Sequence, residues 1–147
     1  MTTNPILVAL DFDNLPDALR LVEATRDHVG GYKVGMELCT AVGVPTVVEA
    51  ISAAGGAVFV DLKFKDIPNT VAGAVRALTR PGVLMCNIHC DGGLAMLRAA
   101  VAAIQSTPVR PLLMGVTVLT SQHAAELRTE IGIVDDLPEQ VVRLARL

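Results

Sequence analysis

Tryptophan is absent from the 147-residue chain, tyrosine occurs once and phenylalanine three times. The core must therefore be built from Val, Ile, Leu, Ala and Met. Charge is scarce as well: 18% of the residues are charged, against 52% hydrophobic. That balance excludes a disordered tail and favours strands buried on both faces, as parallel sheets require. The net charge is −3, with Lys and Arg scattered singly. No basic stripe for nucleic acid and no polybasic patch for a membrane surface is present. No apolar run approaches the roughly 20 residues of a membrane span. Residues 1–5 (MTTNP) lack the charged n-region and cleavage site of a signal peptide. Cys39, Cys86 and Cys90 are odd in number and have no metal-ligand spacing. They read as reduced, mostly buried thiols of a cytosolic protein. Cys90 ends a strand and so lies nearest a candidate site, but no His partner pattern accompanies it.

What the chain does have is a regular alternation of strand and helix. Ile6 to Asp11 (ILVALD) is a short apolar strand ending in a carboxylate. Asp13-Asn14 before Leu15-Pro16 is a helix start, and helical spacing runs from Ala18 to Val29. Tyr32 to Gly35 is a second strand. Met36 to Ala54 reads as a helix in two pieces, divided near Gly43-Val44-Pro45. Ala57 to Lys63 is a third strand, Ile67-Pro68 opens a helix to about Thr79, and Val83 to Cys90 is a fourth strand. A helix from Leu94 to Ile104 precedes a fifth strand from Pro111 to Val118, and a last helical pattern spans Leu137 to Leu147. Five β/α units with short connections predict one domain with a parallel sheet. Both an open doubly wound sheet and a (β/α)8 barrel fit. The first strand is followed by no Gly-x-Gly-x-x-Gly and there is no Walker loop, which disfavours the nucleotide-binding open sheets.

Because charge is sparse, its placement is informative. Asp11 ends strand one, Lys33 sits in strand two, Asp61 and Lys63 end strand three with Asp66 just beyond, His89 ends strand four, and Thr117 and Thr120 end or follow strand five. In parallel β/α folds the C-terminal strand ends line the active site. Asp61 and Lys63 are two apart and should share a face, with Val60 and Leu62 turned to the helices. Charges in that interior need partners, and Asp61, Lys63, Lys33 and Asp66 supply two of each sign. Singly, each residue has a plainer reading. Asp61 with Lys63 fits a structural ion pair. Asp66 and Asp11 fit helix or turn caps, and His89 fits a hydrogen-bonded strand-end histidine. Asp13 and Lys65 read as solvated. Five successive strands delivering polar groups to one rim favour a site.

Residues 61–70 read DLKFKDIPNT. This closely resembles the Asp-x-Lys-x-x-Asp-Ile-Pro-x-Thr signature of orotidine 5'-phosphate decarboxylases. Flanking landmarks follow in order: ALD ending at Asp11, YKVG containing Lys33, NIHCDGG around His89 and GVTVLTS from Gly115 to Ser121. The resemblance covers essentially the whole chain. It implies a (β/α)8 TIM barrel of which about the first five units are present, as a single partial domain over residues 1–147. It implies decarboxylation of orotidine 5'-monophosphate to uridine 5'-monophosphate in pyrimidine biosynthesis, without metal or organic cofactor. Lys63 would donate a proton to C6 as CO2 leaves, Asp61 would face the substrate carboxylate, and Lys33 would hold the charge array and touch the ribose. Asp11 would bind a ribose hydroxyl, and Thr120 would contact substrate. Asp66, Ile67 and Thr70 would reach the site of a partner subunit in a homodimer.

A complete barrel typically takes about 250 residues, or little over 200 when compact. The late Gln and Gly-Arg segment with which the family grips the substrate phosphate are not in these 147 residues. Strands one and five are expected to be unpaired edges, and the chain alone is expected to fold poorly and turn over little substrate. Two rivals stay open. One is a Mg2+-dependent sugar-phosphate decarboxylase or aldolase of the same superfamily, disfavoured by Lys33 where a metal ligand would be expected. The other is a catalytically dead scaffold fragment that dimerises through Asp66 to Thr70.

Overall fold

The computed structural model describes residues 4–147; residues 1–3, part of the segment read for a leader, lie outside that range. Strands β1 (Leu7–Ala9), β2 (Gly31–Val34), β3 (Val58–Phe64), β4 (Val83–His89) and β5 (Leu112–Val116) alternate with helices. The helices are α1 (Leu15–Thr25), α2 (Met36–Val42), α3 (Val44–Ala53), α4 (Pro68–Ala77), α5 (Leu94–Gln105), α6 (Ala124–Thr129) and α7 (Leu137–Ala145). Every strand pair is parallel and the spatial order is β1-β2-β3-β4-β5. A doubly wound sheet reverses direction at a switch point, so its spatial order departs from chain order. Right-handed crossovers that always step the same way place the helices on one face and leave the other to line an interior. The sheet is therefore a (β/α) barrel wall. Among the described residues it is open, with β1 and β5 at its edges.

Alternation along the strands sorts the side chains. Val34, Val58, Val60, Cys86 and Ile88 point to the helices and join Val22, Leu38, Val47, Ile51, Val75 and Met96 in the core. The opposite face carries Lys33, Phe59, Asp61, Asn87 and His89 on the inner strands. On β5 it carries Leu112 and Met114, which stay 49% and 41% exposed because no further strand faces them. The single tyrosine works in this packing. Tyr32 is buried, and its hydroxyl donates to the Val22 carbonyl at 3.0 Å, joining α1 to β2.

Local chemistry sets the helix ends. Asn14 caps α1, its Oδ1 accepting the Asp17 N–H at 3.0 Å, with Pro16 in the first turn. The helix stops at Thr25 rather than Val29, as expected from apolar spacing alone. The Thr25 hydroxyl turns back to the Leu21 carbonyl and the His28 N–H bonds to the Thr25 carbonyl, converting the end into a turn. The break between α2 and α3 falls at Gly43, whose φ of +93° bends the pair by 101°. No single helix among the described residues is long and apolar enough to cross a membrane.

β1, β4 and β5 end earlier than the sequence pattern predicts, while β3 runs one residue further, to Phe64. β1 ends at Ala9, so Asp11 lies in the following loop; β5 ends at Val116, so Thr117 lies beyond it. Cys90 opens a 3-10 turn (Cys90–Gly92) instead of closing β4. Apolar runs continue past the last ladder bond because the loops still pack on the core, as fully buried Leu10 does. All three thiols are free and buried; burial raises each above its ordinary pKa, that of Cys86 to about 11.

Two outcomes follow from this packing. Ile51 is fully buried where α3 meets the sheet, so Ile51→Ala should cost about 2–5 kcal/mol in denaturant unfolding. A loss well under 1 kcal/mol would mean that α3 does not pack there. The thiols of the folded chain should resist a polar alkylating reagent and react only at the rate of unfolding; fast labelling under native conditions would contradict their burial.

Candidate active site at the strand ends

Four charges form a chain across β1–β3. Lys33 reaches from β2 with Nζ 3.2 Å from Asp11 Oδ1 and 3.8 Å from Asp61 Oδ2. Lys63 Nζ donates to Asp61 Oδ1 at 2.7 Å. The order is thus Asp11, Lys33, Asp61, Lys63, alternating in sign. Asp61 is the most enclosed member, its side chain 13% exposed, while Asp11 is 67% exposed at the outer end. Burial alone would raise the Asp61 carboxyl. Hydrogen bonds from Lys63 and Asn87 and the charges of Lys63 and Lys33 outweigh it, and the group lies below its ordinary value. Asp61 is therefore an anion at neutral pH.

The stretch that presents Asp61 and Lys63 is not a regular strand. Pairing between β3 and β4 runs Val60↔Cys86 and then Phe64↔Ile88. Asp61 to Lys63 therefore span the length that Asn87 alone spans on β4, a bulge. Lys63 has φ +51°, the only non-glycine residue with positive φ among those described. Residues other than glycine pay roughly 1–3 kcal/mol for such a conformation, and it persists only where the surroundings enforce it. The expected sharing of a face by Asp61 and Lys63 holds, but through this bulge rather than through ideal pleating. Val60 and Leu62 do pack toward the helices.

The remaining predicted residues divide. The expected grouping of Asp66 with Asp61, Lys63 and Lys33 is not formed within this chain: Asp11 takes the fourth place, and Asp66 makes no ion pair among the described residues. Asp66 is not the helix cap either. Its Oδ1 accepts the N–H of Ile67, and Ile67 is the residue that precedes α4. Asp66, Ile67 and Thr70 all project from an exposed segment, Ile67 at 66% exposure. Thr120 is exposed in the loop after β5, and Thr117 is half-buried. His89 Nδ1 lies 3.7 Å from Asp91 Oδ1, and Lys65 Nζ binds Asp91 Oδ2 at 2.7 Å. Lys65 is thus paired, not merely solvated. Cys90 is buried, and burial with the nearby Asp91 charge raises its thiol, which disfavours the thiolate a nucleophile needs.

One residue escapes a search for charge. Asn87, 2% exposed, accepts the Lys63 N–H at 2.7 Å through Oδ1 and donates to Asp61 Oδ1 at 2.6 Å through Nδ2. Its only sequence signal is an amide placed among the apolar residues of a buried strand, two before His89.

The arrangement offers an ammonium and a carboxylate held side by side at the mouth of a parallel β/α wall, ready to stabilise and protonate a carbanion. Among the described residues no three His, Cys, Asp or Glu side chains are grouped to hold a metal ion.

Known proteins share both sequence and shape. The chain is 48% identical over 147 residues to the orotidine 5'-phosphate decarboxylase of Moorella thermoacetica, covering 97% of this chain and 58% of that protein. It is 46% identical over 146 residues to the enzyme of that name from Chromobacterium violaceum, covering 99% and 58% respectively. The chain thus spans just under three fifths of the length of these relatives. Among solved structures, an uncharacterized conserved protein from Geobacillus kaustophilus superimposes with a TM-score of 0.90 at 38% identity, over 97% of this chain and 67% of that one. Orotidine 5'-phosphate decarboxylase from Lactobacillus acidophilus gives 0.86 at 34% identity, over 97% and 65%. With residues 4–147 matched by the family model, the chain belongs to the orotidine 5'-phosphate decarboxylase / HUMPS family.

Proposed function

We propose that this chain supplies the charged half of the active site of an orotidine 5'-phosphate decarboxylase. The observation that carries the reading is the Lys63 ammonium fixed 2.7 Å from an ionised Asp61 on a bulged strand end. In the proposed reaction the C6–carboxylate bond of orotidine 5'-monophosphate breaks, CO2 departs and the electron pair remains on C6. That pair lies in the ring plane, where the π system does not absorb it. The Lys63 ammonium stabilises it and then delivers a proton, giving uridine 5'-monophosphate and a neutral amine that solvent reprotonates. Asp61 faces the substrate carboxylate. Lys33 holds Asp61 and Asp11 and reaches the ribose, whose hydroxyl Asp11 accepts. Thr120 contacts substrate from the loop after β5.

Neither metal nor organic cofactor enters this scheme. Lys33 is paired with the carboxylates of Asp11 and Asp61 and stands in strand two where the sugar-phosphate branch would be expected to carry a metal ligand. Exposed Asp66, Ile67 and Thr70 are proposed to enter the site of a second subunit, in a cytoplasmic homodimer of de novo pyrimidine biosynthesis. The phosphate grip implied by the family resemblance, a late Gln and a Gly-Arg segment, is assigned to further β/α units. Remote phosphate contacts supply binding energy used at the transition state.

The test compares the 147-residue chain with the same chain joined to the C-terminal remainder of the Moorella thermoacetica relative. The joined protein should bind uridine 5'-monophosphate by calorimetry and decarboxylate orotidine 5'-monophosphate, while the 147 residues alone should do neither appreciably. A folded joined protein that binds no pyrimidine nucleotide would refute the assignment.

In the joined protein, Lys63→Ala should lower kcat by at least about 10³-fold with little loss of stability; near-normal kcat would remove Lys63 from its role. The depressed Asp61 pKa carries a second expectation. Its stabilisation is fully present above the unfolded value of about 3.9 and is lost as pH falls through the lower folded value. Denaturant midpoints followed below about pH 4 should therefore fall less steeply in Asp61→Asn than in the parent. Equal slopes would mean that Asp61 is not held by its partners.

A further inference from the structure

Asn87 sits at the one place where β3 and β4 fail to pair regularly. Between Val60↔Cys86 and Phe64↔Ile88, three residues of β3 face one of β4. Ordinary ladder bonds cannot serve three residues with one. The Asn87 side chain takes their place: Oδ1 accepts the Lys63 N–H at 2.7 Å and Nδ2 donates to Asp61 Oδ1 at 2.6 Å. The amide orientation is dictated by its partners. Turned over, it would set an NH2 against a backbone N–H and a carbonyl against a carboxylate. Asn87 is 2% exposed, so a mismatch there has no solvent to relieve it.

Two consequences meet at the reacting groups. The bond to the Lys63 N–H holds a residue at φ +51° that has no glycine to make that conformation easy. The bond to Asp61 Oδ1 lands on the same oxygen that receives Lys63 Nζ, so the carboxylate plane is fixed and Oδ2 is left facing Lys33 at 3.8 Å. One neutral amide therefore sets the backbone of one charged residue and the side chain of its neighbour.

We infer that Asn87 is a positioning residue of this site, holding the β3 bulge so that the Lys63 ammonium and the Asp61 carboxylate stay in register with each other and with the reacting carbon. It does not touch the reacting atoms: it acts through Lys63 and Asp61, and the inference rests on the decarboxylase reading above. A displacement near 1 Å of a catalytic group costs on the order of 10²-fold in rate.

The experiment uses the joined protein described above. Asn87→Ala should lower kcat about 10²-fold while KM changes less than about threefold, since the groups proposed to hold the ribose and phosphate are not bonded to Asn87. Asn87→Asp keeps the shape and the acceptor for Lys63 but sets a carboxylate beside Asp61. Protonation of the introduced group restores the donor, so the ratio of variant to parent kcat should rise about tenfold from about pH 8 to about pH 6. A merely structural residue would not give this acid rescue. Parent-like kcat in Asn87→Ala, or no rise in that ratio for a folded Asn87→Asp, would overturn the proposal. If the parent itself fails to decarboxylate, the functional reading fails. The positioning claim is then decided by carbon-detected NMR titration of Asp61. The Asp61 carboxyl should titrate higher in Asn87→Ala than in the parent; an unchanged titration overturns it.

Discussion

Two ammonium groups and one amide converge on the carboxylate of Asp61, and the geometry of the whole rim is set by how that single group is satisfied. Lys63 and Asn87 share Oδ1, and Lys33 faces Oδ2 and passes the alternation on to Asp11. An isolated carboxylate this enclosed would be driven toward its neutral form. Here the donors reverse the effect of burial. Removing any one partner would leave the others over- or under-compensated, and the partners come from the ends of four adjacent strands, β1 to β4.

The fold makes that convergence cheap. A sheet wound in strict chain order brings the C-terminal ends of β1, β2, β3 and β4 side by side at strand spacing. Side chains within the last few residues of a strand, or just past it as Asp11 is, then meet without long loops. The helical face carries the stability: Val22, Val34, Ile51, Val60, Val75 and Met96 are fully or almost fully buried. The site face is freed from packing duty and tolerates a bulge and a left-handed lysine. Stability and chemistry are divided between the two faces of one sheet.

That division also explains the exposed apolar residues. Leu112 and Met114 on β5 lie on the interior face next to Met85 and Asn87 of β4, where a barrel would be closed by further strands. Their exposure and the open β1 and β5 edges agree with a chain spanning 58% of its relatives' length. The exposed Asp66–Thr70 segment is different. It leads into α4 at the site rim, and in the proposed dimer its burial comes from another subunit.

Much of this architecture is legible in the sequence. Alternating short apolar runs and helical spacing located all five strands and the split at Gly43, because period and turn chemistry are local properties. The scarcity of charge made Asp11, Lys33, Asp61 and Lys63 stand out, and the ten residues from Asp61 to Thr70 carried the family resemblance. Three things were not local. The choice between open and barrel-type winding depended on which strands pair, and strand order is a long-range fact. The bulge at Asp61–Lys63 depended on a mismatch in length with β4, invisible along β3 alone. Asn87 looked like one polar residue in a buried strand until its two hydrogen bonds were formed across the sheet. The elements, the buried face and the charged residues follow from near-neighbour pattern and composition, so they can be read along the chain. The pairing of Asp11 rather than Asp66 with Lys33 and the left-handed turn at Lys63 arise only once the strands are assembled. So does the role of the amide beneath them, because each depends on atoms brought together from segments more than 20 residues apart.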